Sequence, residues 1–151
     1  MAAPGTFTMG SLVLNPTSNL NFRLGAPGVV GGANNDLISV TGSLTLGGVL
    51  NVTNSASFGA GTYRLINYGG GLTNNGLGVG TTPVGFTASD FTIQTSVANQ
   101  VNVVVGTSVL FWDGAQTVAN NVVNGGSGDW NTTATNWTNA SGERRDECRV
   151  E

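Results

Sequence analysis

The stretch of sequence that decides the fold is SVTGSLTLGGVLNVTNSASFGAGTYRLINYGGGLTNNGL, residues 39–77. Within it Leu44 and Leu46 alternate with polar residues, and Leu50 and Val52 do the same after a Gly-Gly pair. A period of two is typical of a β-strand with one buried face. The runs are short, and the Gly and Asn residues between them supply the positive φ that tight turns require. The stretch therefore predicts a series of very short strands.

The same alternation extends beyond this stretch, and the periodicity of a helix is missing. Leu12 and Leu14 alternate in SLVL, and Leu20, Phe22 and Leu24 alternate in NLNFRL. Short strands with brief connections leave little room for antiparallel hairpins, and they favour a chain that coils, each strand stacking in parallel on its equivalent one turn later. We therefore predict an all-β parallel β-helix, a solenoid with aliphatic ladders inside and ladders of Thr, Asn and Ser outside.

The segment FTIQTSVANQVNVVV, residues 91–105, has a different pattern. The alternation of Phe91 and Ile93 stops at a short turn around residues 98–100 and resumes from Val101. Two alternating runs on either side of a short turn indicate an antiparallel β-hairpin. We expect this hairpin to be an excursion from the coil or a cap on it.

Six apolar residues are expected to include the centre of the core: Leu44, Leu46, Leu50, Val52, Leu65 and Ile66. Leu65 and Ile66 are neighbours in the chain, so a strictly alternating strand cannot direct both side chains inward.

Charge is distributed very unevenly along the chain. Only six positions before Glu143 are charged, whereas the C-terminal stretch ERRDECRVE holds seven charges and the single cysteine, Cys148. Strands stack about 4.8 Å apart, so like charges on successive turns would repel each other. We expect residues 1–142 to form the β-helical segment and residues 143–151 to be a disordered tail outside the β core.

The overall charge and the hydropathy pattern exclude several classes of partner. A net charge of −3 provides no basic footprint for nucleic acid and no polybasic membrane patch. The first residues, MAAPGTFTMG, lack the basic and apolar regions of a signal peptide, and no stretch approaches the roughly 20 apolar residues of a membrane helix. We expect no nucleic-acid binding and no membrane insertion.

The sequence predicts no enzyme and no cofactor. The chain has no His or Lys, and its one Cys lies in the tail, so the usual bases and activated nucleophiles are missing from residues 1–142. The remaining acid/base candidates are Asp36, Asp90, Asp113 and Asp129. Their spacing indicates no carboxylate pair, and Asp beside Gly or Asn is typical of turns and caps.

Two glycine-rich stretches resemble binding motifs without matching them. In GGSGDWN, residues 125–131, Asp129 comes one position too early for the calcium-binding nonapeptide, and the motif occurs once. In GLGVG, residues 76–80, no helix follows that could bind phosphate, so we interpret this stretch as a loop. We therefore predict no metal site.

Trp112, Trp130 and Trp137 are the candidate ligand-binding residues. Exposed aromatic rings can bind sugars or protein partners, but the same rings could cover the open end of the coil or pack under a long loop, and we favour this second interpretation. VLFWDG, residues 109–114, predicts a further strand and turn around the first of them.

The order of these motifs resembles the passenger segments of bacterial autotransporters, in particular their autotransporter-associated β-strand repeat region. Residues 39–77 follow its usual run of an LTL strand, an LNV strand, GAGTYRL and a YGG turn. Residues 91–105, followed by FWDG, GGSGDWN and NWT, resemble its recurring hairpin and tryptophan-flanked segment. The resemblance covers about residues 5–142.

Membership of this group would imply a right-handed parallel β-helix, exported across the outer membrane of a Gram-negative bacterium through a C-terminal β-barrel translocator. The parent protein would then be extracellular or on the cell surface. This chain contains no such barrel, and its charged tail stands where another repeat is expected. A truncated or frame-shifted product, or an expression fragment, would explain both features.

Three functions are compatible with this resemblance. The first is a non-enzymatic stalk that supports export and surface display. The second is an adhesin that binds host or neighbouring-cell ligands directly, for example a host-surface protein or glycan. The third is a fragment of a β-helical polysaccharide hydrolase or lyase. We also expect end-to-end self-association, because nothing comparable to the hairpin precedes Leu12 to cover the N-terminal end of the coil.

Overall fold

The computed structural model describes residues 3–106, 111–115, 120, 122–127 and 137–138, with the backbone alone described at residues 111 and 137. The chain divides into two compact units, residues 1–107 and residues 108–151. The described residues are all-β, with a single 3₁₀ turn at Ala88–Asp90 and no α-helix.

The first unit holds eleven strands in its described part. In chain order they are β1 (Thr6–Met9), β2 (Leu12–Val13), β3 (Asn19–Leu24), β4 (Leu37–Val40), β5 (Leu44–Leu46), β6 (Val49–Asn54), β7 (Gly61–Tyr68), β8 (Leu72–Asn74), β9 (Gly78–Val79), β10 (Phe91–Gln94) and β11 (Gln100–Val105). In the second unit, β12 (Phe111–Trp112) pairs in antiparallel fashion with β13 (Trp137–Thr138).

From β1 to β9, every third strand pairs in parallel. The resulting sheets are open, with strand orders β1-β4-β7, β2-β5-β8 and β3-β6-β9. In the second of them Leu12 lies opposite Leu44, and Leu44 lies opposite Leu72. The chain therefore returns to each sheet after it has contributed one strand to each of the other two.

The alternating side chains build one hydrophobic core between these sheets. Leu44, Leu46, Leu50 and Val52 are at most 1% exposed, as predicted. On the outside, the predicted polar ladder is present, because Asn51 lies opposite Asn21 and donates Nδ2 to its Oδ1 at 3.2 Å. The alternation of apolar and polar residues therefore determines which face of each short strand is buried and which is exposed.

A β-bulge in β7 allows Leu65 and Ile66 to be buried together. Val101 of β11 lies opposite Ile66, but the next residue, Asn102, lies opposite Arg64, so Leu65 has no opposite partner. The extra residue changes the phase of the alternation. Both neighbouring side chains are 0% exposed, which a regular strand would not permit.

The predicted hairpin at residues 91–105 is confirmed. β10 and β11 are antiparallel, with Phe91 opposite Val105, and β11 pairs in antiparallel fashion with β7. The hairpin thus extends the first sheet to five strands, in which β1 and β10 form the two edges.

A buried polar network fixes the loop between β3 and β4. The side chain of Asn35 is fully buried, accepts a bond from the N–H of Gly25 at 2.6 Å, and donates to the carbonyl oxygens of Ala26 and Val29. The hydroxyl of Tyr63 donates to Gly25 O at 3.1 Å. Burial raises the pKa of the Tyr63 hydroxyl, so it remains a neutral donor within the core.

The structure corrects one interpretation of the sequence and adds one strand that it missed. Residues 76–80 are not simply a loop, because Gly78–Val79 forms β9 and pairs with Val49 and Leu50 of β6. β1 precedes Leu12 and was not predicted, although TFTM alternates as the other strands do. β1 and β9 are too short to be predicted from their own sequences, and each forms because the neighbouring strand provides an edge with which it can pair.

Other expectations reach beyond the described residues. The predicted strand and turn at 109–114 agree with β12 and the turn that follows, whereas residues 107–110 lie outside the described part. The charged tail, residues 143–151, lies outside it as well. No helix in the described part is long and apolar enough to cross a membrane.

Candidate functional site: the open face of the first three strands

The most distinctive surface of the first unit is the free edge of β1, β2 and β3, which we call the N-terminal face. It surrounds a hollow with a volume of about 420 Å³. Twelve residues line the hollow: Gly5, Phe7, Met9, Leu12, Leu14, Asn19, Leu20, Asn21, Phe22, Asp36, Leu37 and Ile38. Asp36 alone among them is charged, so the hollow is an apolar surface at one end of the core.

Phe7 is the exposed end of a row of side chains on this face. It lies opposite Ile38 of β4, which in turn lies opposite Ile66 of β7. The last of these side chains is fully buried, yet Phe7 is 64% exposed. The same row of side chains therefore passes from core to solvent, because no described strand covers β1 on its outer side.

Backbone groups along the face are also free to pair. Gly5 O accepts a bond from Leu37 N, the first residue of β4, and Met9 O accepts one from Thr41 N, just after β4. Alternate residues of a strand direct their N–H and C=O groups to opposite sides. Thr6 and Thr8 therefore direct theirs away from β4. By the same geometry Val13 directs its groups away from β5, since Leu12 and Leu14 donate toward that strand.

Asp36 closes one corner of the face. Its carboxylate accepts bonds from the N–H of Gly5 at 2.8 Å and of Arg23 at 2.6 Å, and its own N–H donates to Arg23 O at 2.9 Å. The carboxylate thus occupies the outward N–H of Arg23 near the end of β3, and the Asp36 N–H occupies the Arg23 carbonyl oxygen, both of which an adjoining strand would otherwise use.

Replacing Asp36 by Ala should lower the free energy of unfolding by about 1 to 3 kcal/mol, because two backbone N–H groups lose a charged acceptor. Asp36→Asn keeps one side-chain oxygen and should lose less. Urea unfolding measures the stability, and amide hydrogen exchange should locate faster exchange at Gly5 and Arg23 in both variants. Equal stability of all three proteins would contradict a capping role for this carboxylate.

The other end of this unit is covered by its own side chains. Phe58 stacks on Tyr63 with ring centroids 5.4 Å apart, and Phe86 meets Phe58 edge-on at 5.2 Å. Phe91 of β10 is buried and lies 6.1 Å from Phe86. β11 covers the edge of β7, and Thr95 of the hairpin turn accepts a bond from Asn74 of β8. The hairpin and these aromatic rings therefore cover the β7 edge of the core, whereas β8 and β9 are edge strands of their sheets.

A polar network lies on β7, β10 and β11. Arg64 donates Nε to Asn102 Oδ1 at 2.8 Å and Nη1 to Asn67 Oδ1 at 2.6 Å, and Asn102 donates in turn to Gln94 Oε1 at 3.1 Å. Both acceptors of the guanidinium are neutral amides, so they orient its charge without neutralising it.

The structure brings two of the three candidate tryptophans together. Trp112 and Trp137 are directly opposite each other in the backbone pairing of β12 and β13. Trp112 is half-buried and donates Nε1 to Gly126 O at 2.9 Å, so its polar atom is engaged within its own unit. Trp130 lies outside the described residues.

Three of the four acidic candidates accept hydrogen bonds from backbone N–H groups. Asp90 accepts a bond from Thr87 N at 2.7 Å at the start of the 3₁₀ turn, and Asp113 accepts one from Asn124 N at 2.5 Å. Asp36, Asp90 and Asp113 thus each bind the backbone, whereas Asp129 lies outside the described part. Within that part, no three His, Cys, Asp or Glu side chains are grouped to hold a metal ion.

The sequence is 52% identical over 131 residues to the adhesin BmaC autotransporter of Brucella suis biovar 1 (strain 1330). The chain matches an autotransporter passenger segment. The match covers 83% of this chain, and the chain spans 4% of the length of that relative. The resemblance inferred from the order of the motifs is thereby confirmed. No family model and no solved structure matches this passenger segment.

Sequence patterns locate the first strand of the passenger segment only in part. The SLVL run predicts a first strand at Leu12, whereas the structure places β1 and the exposed Phe7 before it. The alternation of Phe7 and Met9 with threonine was the signal that could have located the first edge.

Proposed function

We propose that this chain is a non-enzymatic stalk segment of an autotransporter passenger, folded as a right-handed parallel β-helix. The observation that carries the proposal is the parallel pairing of every third strand from β1 to β9. A chain that visits three sheets in a fixed order and then returns to the first one winds as a coil. Crossover connections between parallel strands are right-handed in almost all proteins, which supports the proposed hand.

The physical properties of such a coil suit a stalk. Each turn adds about 4.8 Å of length, and each new turn is held by backbone pairing and by the aliphatic ladders of the turn before it. Leu20 opposite Leu50, with Val79 opposite Leu50 on the other side, is one such ladder. A solenoid of this kind projects distal regions from the cell, and its folding outside the membrane favours export over return.

We propose further that residues 1–142 form the passenger segment and that residues 143–151 do not join its core. The parent protein would be displayed on the bacterial cell surface through a C-terminal β-barrel translocator. The similarity to a segment of a much longer autotransporter supports this placement.

Surface display tests the stalk. The chain, with an N-terminal epitope, is fused to a heterologous autotransporter barrel, and antibody labelling of intact cells measures display. We expect strong labelling for the chain and for Val84→Asp, because Val84 is 92% exposed. Leu46→Asp, which places a charge in the core, should reduce labelling severely. Equal labelling of the two variants would contradict a folded segment that supports display.

Adhesion is the second candidate function. It is favoured by the relative, which is named an adhesin, and by the Arg64 network, whose fixed planar donors suit sugar hydroxyls and carboxylates. In the same displayed cells, adhesion to host-cell monolayers should rise above that of the barrel alone and fall with Arg64→Gln. Arg23→Gln is the matched control, because Arg23 is the other cation before the tail. Display without any gain in adhesion supports the stalk alone.

A further inference from the structure

We infer that Arg64 and the side-chain amides around it bind the carboxylate of an acidic sugar. This inference rests on adhesion, the second function proposed for the segment, and it names the ligand class and the donors that hold it. Gln94 of β10 lies opposite Asn102 of β11, Asn102 lies opposite Arg64 of β7, and Gln100 lies opposite Asn67. Arg64, Asn67 and Asn102 each stand between two buried residues, so their side chains point away from the core.

The chemistry of arginine determines how each amide of this network is oriented. A guanidinium has donors only, so Asn67 and Asn102 must each present an oxygen to it, at 2.6 and 2.8 Å. The amino group of Asn102 is then left for its other neighbours, and it donates to Oε1 of Gln94 at 3.1 Å and to Oε1 of Gln100 at 3.4 Å. All four amide oxygens therefore accept bonds from within the network.

The groups that remain for a ligand are N–H donors. Nη2 of Arg64 and the side-chain nitrogens of Asn67, Gln94 and Gln100 have no hydrogen-bond partner in the described part of the chain, and none of these atoms is buried. Both acceptors of the guanidinium are uncharged, so its positive charge is not compensated there. A cation surrounded by free donors, with its amide acceptors already engaged, suits an anion.

The arrangement of the donors favours a carboxylate on a sugar. The remaining N–H groups of the guanidinium, on Nη1 and Nη2, lie in one plane and match the two oxygens of a carboxylate. Arg64 is half-buried and already held at two nitrogens, so it loses little further side-chain entropy on binding. Gln94 lies two strands from Arg64, about 10 Å along the sheet. Its amino group can therefore reach a hydroxyl or carbonyl oxygen of the same sugar or of the next one.

The surface beside the network is polar as well. The next row across the three strands consists of Thr92, Val104 and Thr62, and both threonines are exposed. None of the exposed large apolar side chains in the described part lies in β7, β10 or β11. A docked peptide usually places apolar side chains in pockets, whereas sugar oxygens need the hydroxyl and amide groups that this face provides. We therefore assign the site to an acidic glycan.

Titrations of the full ¹⁵N-labelled chain, followed by NMR, test the site. The acidic probes are an oligosaccharide of alternating glucuronate and N-acetylglucosamine, and sialyllactose. Their neutral counterparts are the carboxyl-reduced oligosaccharide and lactose. At least one acidic probe should shift the side-chain N–H signals of Arg64, Gln94 and Gln100 saturably, and the neutral counterparts should not. The probe that binds distinguishes a uronate from a sialate. Equal binding of an acidic peptide would overturn the assignment to a sugar.

Two variants test the donors. Arg64→Gln should weaken binding of the acidic probe about tenfold or more, because the charge-assisted bonds are lost. Gln94→Glu keeps an oxygen for Asn102 but replaces the outward amino group by a negative charge, and it should weaken binding as much. Asn54→Asp, the same change at an exposed amide of β6, is the matched control and should bind like the parent chain.

The outcomes separate this inference from the functions on which it rests. A chain with β structure by circular dichroism that binds neither acidic probe would overturn the site. So would binding that survives both variants, or a loss that is equally large in Asn54→Asp. Adhesion of displayed cells without binding of either probe would overturn the acidic sugar and leave adhesion standing. A chain that lacks β structure would overturn both the site and the proposed stalk.

Discussion

Replacing Leu46 by Ala is expected to lower the free energy of unfolding of this chain by about 2 to 5 kcal/mol. Leu46 is fully buried in β5, the middle strand of its sheet, with β2 on one side and β8 on the other. Truncation removes the apolar contacts and leaves a cavity, because sheets held by backbone pairing on both sides cannot close around it. Equilibrium unfolding in urea measures the loss.

Val13→Ala is the matched control for this prediction. Val13 lies in β2, directly opposite Thr45 of β5, but its side chain is 65% exposed. Its truncation should change stability by less than about 0.5 kcal/mol, as exposed substitutions usually do. If Leu46→Ala were as mild as this control, the inward register of β5 would be wrong and the core would have to be assigned to the other face.

The alternation of apolar and polar residues predicts β2, β3, β5 and β6, their buried faces and their parallel stacking, but not β1 or β9. Leu44, Leu50 and Val52 are buried because a period of two leaves a half-buried strand only one way to face the core. The hairpin could be predicted for the same reason, since two alternating runs joined by a turn specify their own pairing. These features are local, and a single sequence contains them.

Features that depend on two distant segments could not be predicted in this way. The neighbouring Leu65 and Ile66 indicate a break in the alternation, but the bulge that buries both is defined by the pairing of β7 with β11, which is distant in the chain. Asp36 was identified as a turn or cap residue, but its partners Gly5 and Arg23 lie 31 and 13 residues away and come close only when the coil forms. The hollow beside Phe7 likewise requires the positions of three strands, so the sequence alone does not predict its shape.

The second large effect is expected for Gly48→Ala, in the connection between β5 and β6. Gly48 has a φ of +86°, a conformation that costs a residue with a side chain about 1 to 2 kcal/mol. An added Cβ would also press against the backbone oxygen of Ser18, closer than real Cβ contacts come. That oxygen accepts the bond from Val49 N at 2.9 Å, so relief of the clash weakens the first pair of the β3–β6 ladder. Overpacking of this kind adds about 1 to 3 kcal/mol to the loss of stability.

Gly76→Ala separates the cost of the positive φ from the cost of the contact with Ser18. Gly76 has nearly the same φ, +85°, but a Cβ there would meet nothing within 4 Å. The control should therefore lose the conformational cost alone, and the difference between the two unfolding free energies reports the contact between neighbouring turns. Equal losses in the two variants would mean that Ser18 and Gly48 are not in close contact, which would contradict the stacking of β3 on β6. A larger loss for Gly48→Ala, with faster amide exchange at Val49, is the result that the close packing of successive turns requires.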